Sequence, residues 1–488
     1  MGAGVGLRDR WPTWTLGGRP LRAAMIVGAL CGLVAALTEG PWGAAILAAT
    51  LAAVVAGLLR PSALLALIAI AVVAVPSYVG WLVPGGLFFN MARGVIYGAA
   101  VGLILWTMAQ ARNELPWPKG DALSPMSRIA ILSLTLGWTL APLIGLAHGG
   151  GNAFRAFNAV LYQALPLWVG LRFASEYGRR RTLQVVLALL ILYTVPYWLY
   201  ELEFAKSAFK SYVPPIPGLL GAEELLMRGG NVRVQATFGH PLAFDQFLVL
   251  AAPIAATLLF VPRLRLLGLL AAGAGVMAVW ATQSRSPWIA LLGGVAGTVA
   301  FRRPLLASMV VISVAFVLVF TPLGDALGPR ALASRAKQLA AATYSARSET
   351  EFSAASRVFL TISSVRAISQ HPLTGYGVNV IGASTGIPTV DNYFLVLPLE
   401  IGLLAAGPIL LGMVLLWVSI SRRVPMDAGA ALLAVGVGAY LVQLLLVGLH
   451  ETVPLLFLAG GAVLGAQSRG APLSPVPLVE SGRRDERS

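Results

Sequence analysis

Charge, cysteine and histidine are all scarce in this sequence. Only 11% of its 488 residues are charged, and it has one cysteine and four histidines. The lone Cys31 excludes an intramolecular disulfide and a thiolate metal cluster, so redox chemistry is not expected. The histidines show no metal-ligand spacing, and P-loop, H-E-x-x-H and strand-linked G-x-G-x-x-G motifs are lacking. We therefore predict no metal and no other cofactor.

Apolar residues, in contrast, are abundant and come in long blocks. They make up 57% of the chain, and a helix needs about 20 of them in a row to cross a bilayer. The blocks lie at 22–38, 41–59, 62–83, 92–110, 127–147, 157–175, 183–200, 241–261, 264–281, 286–301, 304–321, 391–420, 427–448 and 452–467. Because backbone in lipid must satisfy its own hydrogen bonds and these blocks do not alternate, they predict helices and not a β-barrel. The expected fold is all-α, a polytopic transmembrane helix bundle of about 14 spans.

The basic residues are distributed unevenly between alternate connections of these blocks. Of the 35 lysines and arginines, 22 fall in the two tails and in every second connection. Basic residues in short loops stay on the cytoplasmic side of a membrane, so both termini are predicted to be cytoplasmic. These flanks also explain most of the net charge of +15, and we predict no nucleic-acid partner.

The resulting organisation has five parts. They are a cytoplasmic tail at 1–21, a bundle of about 11 spans at 22–321 with an extracytoplasmic loop at 201–240, a large extracytoplasmic loop at 322–390, C-terminal spans at 391–467, and a disordered cytoplasmic tail at 468–488.

Two stretches of the large loop have helical patterns. At 353–370, one face carries Ala355, Phe359, Ile362, Val365 and Ile368, and another carries Arg357, Thr361 and Ser364. This pattern predicts an amphipathic helix lying against the membrane surface. The basic stretch 329–347 is either a helix of similar kind or a solvated face.

Three arginines stand next to predicted helix ends on the extracytoplasmic side: Arg233, Arg285 and Arg357. Arginine at such positions works against the usual orientation preference, so something other than topology is expected to retain it. The planar guanidinium fits two oxygens of a phosphate and stays charged in a poorly hydrated site. An anionic ligand is the natural inference, and an ordinary headgroup contact or salt bridge is the alternative.

Other ionisable residues surround these arginines in the sequence: His240, Asp245, His371, Asp391 and Glu400. Asp245 and Glu400 fall within predicted spans, where a charged group is costly and usually faces a polar cavity or a partner. Both are therefore candidates for substrate binding, with a structural ion pair as the alternative.

The order of these motifs resembles the O-antigen ligase/polymerase family of bacterial inner-membrane glycosyltransferases. An arginine followed by "TFGHP" and an apolar span precedes "TQSR", then an arginine ahead of "AISQHPLTGYG", then "DNYFLVLPLEIGLL". The resemblance covers roughly 230–405 in motif detail. The individual motifs are short, and their order and spacing around the large loop carry the match.

The resemblance implies a helical fold of the GT-C type that uses a polyprenyl diphosphate-linked glycan donor and a glycan acceptor, without nucleotide sugar or metal. It assigns diphosphate binding to Arg233, Arg285 and Arg357. It also implies that "HPLTGYG", beginning at His371, forms a turn of the large loop, in which Gly375 and Gly377 permit a tight backbone. The bilayer is a further partner, and a chain-length regulator is a possible one.

The proposed chemistry needs fixed positive charge and a group that handles a proton. Leaving-group charge on the diphosphate is stabilised by arginines, Arg285 among them, in a low-dielectric cleft. Asp391 is the first candidate to remove or orient the acceptor proton, and His240 is the second. Asn392 follows Asp391, where the ligase branch of the family usually has a histidine before the asparagine.

Three functions compete at this point. The first is a polymerase of a surface or exopolysaccharide, using an undecaprenyl diphosphate-linked donor at the outer face of the membrane. The second is a ligase that passes a finished glycan to a lipid or protein. The third is a flippase, which is disfavoured because charges gather at the outer ends of spans and one loop is long.

Overall fold

The computed structural model describes residues 43–76, 79–83, 87–110, 123–173, 177–209, 225–228, 230–303, 349–378, 384–385, 387, 390, 392–422, 428–448 and 451–467. The predicted blocks 22–38 and 304–321, the basic stretch 329–347 and both tails lie outside the described residues.

The described part of the chain is built mainly from helices. These are α1 (Gly43–Leu59), α2 (Leu64–Val73), α3 (Met91–Gln110), α4 (Pro125–Ala147), α5 (Gly150–Phe173), α6 (Tyr177–Phe204), α7 (Pro241–Ala256), α8 (Arg265–Ala281), α9 (Ser286–Arg302), α10 (Glu349–Gln370), α11 (Tyr393–Ser421), α12 (Ala428–Leu446) and α13 (Val453–Gln467). Short 3-10 turns at Pro61–Ala63, Thr257–Phe260 and Pro262–Leu264 adjoin α2, α7 and α8. Two antiparallel hairpins pair β1 (Gly80–Val83) with β2 (Leu87–Asn90) and β3 (Met227–Arg228) with β4 (Asn231–Val232).

Seven helices of the described part are long and apolar enough to cross a membrane. They cover Met91–Met108, Pro125–Ala147, Arg181–Phe204, Pro241–Phe260, Pro262–Ala281, Tyr393–Ser421 and Ala428–Leu446. Three further apolar helices, Gly43–Leu59, Pro61–Val73 and Val453–Gly465, are shorter. The all-α membrane bundle predicted from the apolar blocks is confirmed, and the number of spans stays a prediction.

One predicted span, 62–83, is wrong in its C-terminal half. Helix α2 ends at Val73, three residues before Pro76, and β1 begins at Gly80 in antiparallel register with β2, pairing Gly80 with Asn90. Proline lacks a backbone donor and disfavours helical conformation in the residue before it. A continuous apolar run does not by itself distinguish a helix from a strand, which is why the block was overextended.

Basic residues at the helix ends lie at one end of the bundle, and the "TQSR" motif lies at the other. At one end, Arg422 Nε donates to the carbonyl of Phe301 at 3.3 Å, so the basic ends of α9 and α11 meet. Exposed Arg302 and Arg303 lie at the same end. The other end of α9, at Ser286, adjoins the short connection from α8. The candidate residues of the "TQSR" motif therefore lie at the end opposite to these basic flanks.

Glycines allow several helices to pack with their backbones in contact. A Cβ on Gly170 of α5 would lie 2.3 Å from the carbonyl oxygen of Leu458 in α13, and one on Gly461 would lie 2.1 Å from the carbonyl oxygen of Leu167. Close approach at small residues is the usual way in which helices associate in lipid, where no hydrophobic force drives them together.

Candidate functional site

Arg233 is held against the connection between α8 and α9. Its Nε donates to the carbonyl of Thr282 at 3.1 Å, and its Nη2 donates to Ser284 Oγ at 2.7 Å. Its own backbone N–H donates to the carbonyl of Leu226 at 2.9 Å. The side chain is half-buried. The arginine before "TFGHP" and the "TQSR" turn, which are far apart in the sequence, are therefore in direct contact.

Asp245 lies behind this contact, in the first turns of α7. Its side chain is fully buried, and its Oδ1 accepts a hydrogen bond from Thr282 Oγ1 at 2.7 Å. The same Thr282 supplies the carbonyl that holds Arg233. A buried carboxylate in this position stabilises the turn. The geometry therefore favours a structural role for Asp245 over direct contact with a substrate.

His240 forms the N-cap of α7, and Nδ1 accepts a hydrogen bond from the backbone N–H of Leu242 at 3.1 Å. Burial, with a smaller contribution from the charge of Arg233, lowers the pKa of His240 from 6.5 to about 4. The imidazole is therefore neutral near pH 7. Because a backbone N–H can only donate, Nδ1 is the acceptor nitrogen and the proton resides on Nε2. His240 is thus arranged as a hydrogen-bond donor.

Arg285 is the N-cap residue of α9, and its side chain is exposed. The Asp245–Thr282 hydrogen bond brings the N-terminal turns of α7 against the start of this connection. The N-termini of α7 and α9 therefore lie at one end of the bundle, together with Arg233 and Arg285. A helix N-terminus carries partial positive charge, so four sources of positive potential meet here.

The predicted turn of the large loop forms a second cluster. Gly375 and Gly377 have φ values of 64° and 103°, which only glycine adopts without strain. The N–H of Tyr376 donates to the carbonyl of Leu399 at 2.7 Å, and that of Gly377 donates to the carbonyl of Glu400 at 2.9 Å. The turn is therefore bonded by its backbone to α11.

Helix α11 is interrupted where this turn docks. Gly402 has φ 67° and ψ 166°, outside the helical region, and the carbonyl of Pro372 accepts a hydrogen bond from the N–H of Leu403 at 2.7 Å. On the other side of the turn, His148 Nε2 lies 3.1 Å from the carbonyl oxygen of Thr374. The kink and the turn thus stabilise each other.

Of the remaining predicted residues, the structure describes the side chains of His371 and Asn392 but not those of Arg357 and Asp391. His371 is exposed, and its ring contacts Tyr376 edge-on with 4.6 Å between centroids. Asn392 is the N-cap of α11, and its Oδ1 accepts a hydrogen bond from the N–H of Phe394 at 2.9 Å. Arg357 lies on α10, but its side chain, like the whole of Asp391, is outside the described residues.

The amphipathic helix predicted at 353–370 is present as α10, with a correction to its faces. Ile362 and Val365 are exposed, as expected for a face that does not pack on the rest of the chain. The packed face instead includes Leu360, Ala367 and Ser364, of which Ser364 is fully buried. The sequence pattern assigned Ser364 to a polar face because it could not show what α10 packs against.

The sequence interpretation missed several buried polar residues near this end of the bundle. Glu201 at the end of α6 is fully buried and accepts two backbone hydrogen bonds from the loop after Arg233. Thr282 and Ser284 are part of the quoted "TQSR" but were not singled out. The acid pair in "YELEF" was the available signal for Glu201, since an acid that closes an apolar block requires a partner.

Buried polar pairs also join the spans next to the site. Gln163 Nε2 donates to Tyr393 Oη at 3.0 Å, and Thr452 Oγ1 donates to Gln246 Oε1 at 3.2 Å and lies 2.9 Å from Tyr440 Oη. Polar side chains within spans usually bond across helices. A single sequence does not show which of them face one another.

A comparison with known families finds a match, which begins after Arg233 and His240. Residues 269–410 match the family model described as O-antigen ligase. The match includes Arg285, Arg357, the turn at 371–377 and Asn392, whereas Arg233 and His240 precede it. No individual curated protein matches the chain. The resemblance predicted from the motifs is confirmed over residues 269–410, and this match supports a multi-pass, glycan-processing membrane protein related to the O-antigen ligase/polymerase family.

Proposed function

We propose that the protein is a polymerase of a bacterial surface or exopolysaccharide. It transfers glycan from an undecaprenyl diphosphate-linked donor to an acceptor glycan at the outer face of the cytoplasmic membrane. The observation that carries this proposal is the meeting of Arg233 and Arg285 with two helix N-termini at one end of the bundle.

The electrostatics of this end suit a diphosphate. Arg233 is half-buried and oriented by two hydrogen bonds, while Arg285 is exposed at the start of α9. A guanidinium that is already held in place loses little side-chain entropy when it binds an anion. The nearby carboxylate, Asp245, is fully buried beneath Thr282 and does not offer a competing charge at the surface.

The proposed reaction exchanges one bond for another at the anomeric carbon of the donor glycan. The acceptor hydroxyl oxygen forms a bond to that carbon while the bond to the diphosphate oxygen breaks, and the carrier leaves as the diphosphate with the bonding electrons. Arg233, Arg285 and Arg357 stabilise the negative charge that develops on it. Asp391 takes the acceptor proton. His240 Nε2–H donates to a substrate oxygen and orients it.

Metal independence belongs to the same proposal, because fixed guanidinium groups supply the positive charge that a cation would otherwise supply. The bilayer holds the lipid carrier. The orientation, with both termini in the cytoplasm and the site facing outward, follows from the distribution of basic residues.

Ligation of a finished glycan is the second candidate, and the description of the matching family model favours it. Against it stands Asp391 before Asn392, where ligases of the family usually have histidine. Polymerase and ligase differ in what a deletion strain accumulates. A lipid-linked single repeat unit indicates lost polymerisation, whereas a full-length unattached polymer indicates lost ligation.

Replacing Arg285 with alanine tests the diphosphate site. Loss of one fixed donor to a developing oxyanion lowers turnover by about 100-fold or more. We expect R285A to remain in the membrane and to fail to restore polymer to a deletion strain, with lipid-linked repeat units accumulating. Arg302, exposed at the opposite end of the same helix, provides the control, and R302A should restore polymer fully. Normal polymer with R285A would exclude Arg285 from the site.

A further inference from the structure

Glu201 is a buried carboxylate that the mechanism above does not use. It lies in the last turn of α6 and is 0% exposed. Its Oε2 accepts hydrogen bonds from the backbone N–H groups of Gln235 and Ala236, at 2.8 and 2.9 Å. These two residues follow Arg233 almost directly. The acid therefore reaches from α6 into the segment that carries the key arginine.

The backbone that Glu201 binds has an unusual conformation. Ala236 has a φ of 47°, in the left-handed region that residues with a Cβ rarely adopt. A left-handed residue of this kind turns successive N–H groups toward the same side and creates a small anion-binding concavity. In this protein the anion in the concavity is the Glu201 carboxylate. The acid thereby stabilises a conformation that alanine would otherwise avoid.

Other contacts hold the residues on either side of those that Glu201 binds. Thr237 Oγ1 donates to the carbonyl of Val73 at 2.5 Å, and the N–H of Val234 lies 3.5 Å from the carbonyl oxygen of Ala281. Gln235 and Ala236 are 1% and 0% exposed, so their N–H groups have no access to bulk water. Without the carboxylate, two adjacent buried donors would lose their acceptor, and the segment would have to rearrange.

We propose that Glu201 is a positioning residue that sets the conformation of residues 233–240, and through it the placement of Arg233 and His240. The inference rests on the proposed function for its consequence in catalysis, since Arg233 is there a ligand of the donor diphosphate. Glu201 itself is too deeply buried to touch a substrate, so it acts through the backbone.

The first experiment measures the segment directly, without any substrate. Full-length protein in detergent is compared by amide hydrogen exchange over peptides that cover 233–240. We expect Glu201→Ala to raise exchange in this segment by about tenfold or more, because an amide without its acceptor opens readily. Glu201→Gln retains an oxygen acceptor and should stay within about threefold of the wild type.

Glu203 provides a matched control, because it is an exposed glutamate on the same turn of α6. We expect Glu203→Ala to leave exchange in 233–240 unchanged. Should Glu201→Ala fail to accumulate, Glu201→Asp replaces it. That variant keeps the carboxyl group but shortens the side chain by one methylene, so it should also raise exchange. Wild-type exchange in Glu201→Ala, or in Glu201→Asp where it replaces the alanine variant, would overturn the proposal.

The second experiment asks whether the positioning serves Arg233. Initial rates of transfer are measured with a lipid diphosphate-linked repeat unit for the wild type, Glu201→Ala, Arg233→Ala and the double variant. If Glu201 acts through Arg233, the double variant should be no slower than Arg233→Ala alone within about threefold. Fully multiplicative losses would contradict the proposal. If the wild type transfers nothing while the exchange pattern holds, the proposed function fails and the structural role of Glu201 stands.

Discussion

Among the single residues, His240 shows how a hydrogen bond can prevent a side chain from acting as a base. Its Nδ1 caps α7 and is therefore not available to take a proton from a substrate. Its pKa is lowered to about 4, mainly by burial, so the ring stays neutral at physiological pH. A neutral imidazole with its proton on Nε2 donates and does not accept there. This arrangement leaves the carboxylate of Asp391 as the proposed base.

The lowered pKa of His240 predicts a pH-dependent stability. As pH falls through 6.5, the unfolded chain protonates this histidine, whereas the folded protein resists protonation until about pH 4. Stability is therefore lost as pH falls from 6.5 to 4, and this contribution is constant above 6.5. We expect His240→Asn to reduce the decrease in Tm across this window, because asparagine cannot titrate but still caps a helix.

A comparison at pH 7 separates capping from titration. His240→Ala removes the cap and should cost about 1 kcal/mol, whereas His240→Asn should be nearly neutral. Identical Tm–pH curves for the wild type and His240→Asn would show that His240 is not the residue responsible for the acid sensitivity.

At the scale of elements, the joint between α11 and the turn at 371–377 depends on Gly402. Its φ and ψ of 67° and 166° lie in a region that is essentially restricted to glycine. A Cβ there would also lie 2.0 Å from the carbonyl oxygen of Leu373, which is backbone and cannot rotate away. The sequence shows the glycine within an apolar block but gives no sign that the helix breaks there.

Gly402→Ala should therefore detach the turn from α11. Strain at such a position costs about 1–3 kcal/mol, and the steric conflict adds to it. We expect a lower Tm and faster proteolysis near His371 in the purified protein. Gly407 lies five residues later on the same helix with nothing within 4 Å of its Cβ position, so Gly407→Ala should be tolerated. Equal behaviour of the two variants would mean that the joint does not constrain the loop.

For the whole molecule, the orientation in the membrane stays a prediction that rests on the distribution of basic residues. Basic residues gather where α9 and α11 end, and the candidate site lies at the opposite end of α9. Thiol labelling in intact cells can test which end faces outward. Cys31, the only cysteine, is first replaced by serine. Single cysteines are then introduced at Gly150 and Arg303, both of which are exposed.

We expect a membrane-impermeant maleimide to label Gly150→Cys in intact spheroplasts, and Arg303→Cys only after permeabilisation. The reason is that basic flanks are retained in the cytoplasm during insertion. The reverse labelling pattern would place Arg233 and Arg285 on the cytoplasmic side. An outer-face glycosyltransferase would then be excluded.

From the sequence alone follow the fold class, the positions of most described helices and the family resemblance of residues 269–410. Long apolar blocks form helices in lipid because helices satisfy their own backbone hydrogen bonds. The family motifs are short stretches of sequence, so their order can be read without a structure. The sequence also indicates Arg233 and Arg285 as candidate site residues, because a charged side chain beside a predicted span is unusual on the extracytoplasmic side. Helix packing was needed to show that Thr282 and Ser284 hold Arg233, that Gly402 breaks α11, and that Glu201 binds the backbone after Arg233. These contacts join segments that are distant in the chain. The local sequence around a polar residue in an apolar helix does not show which residue it will contact once the helices pack.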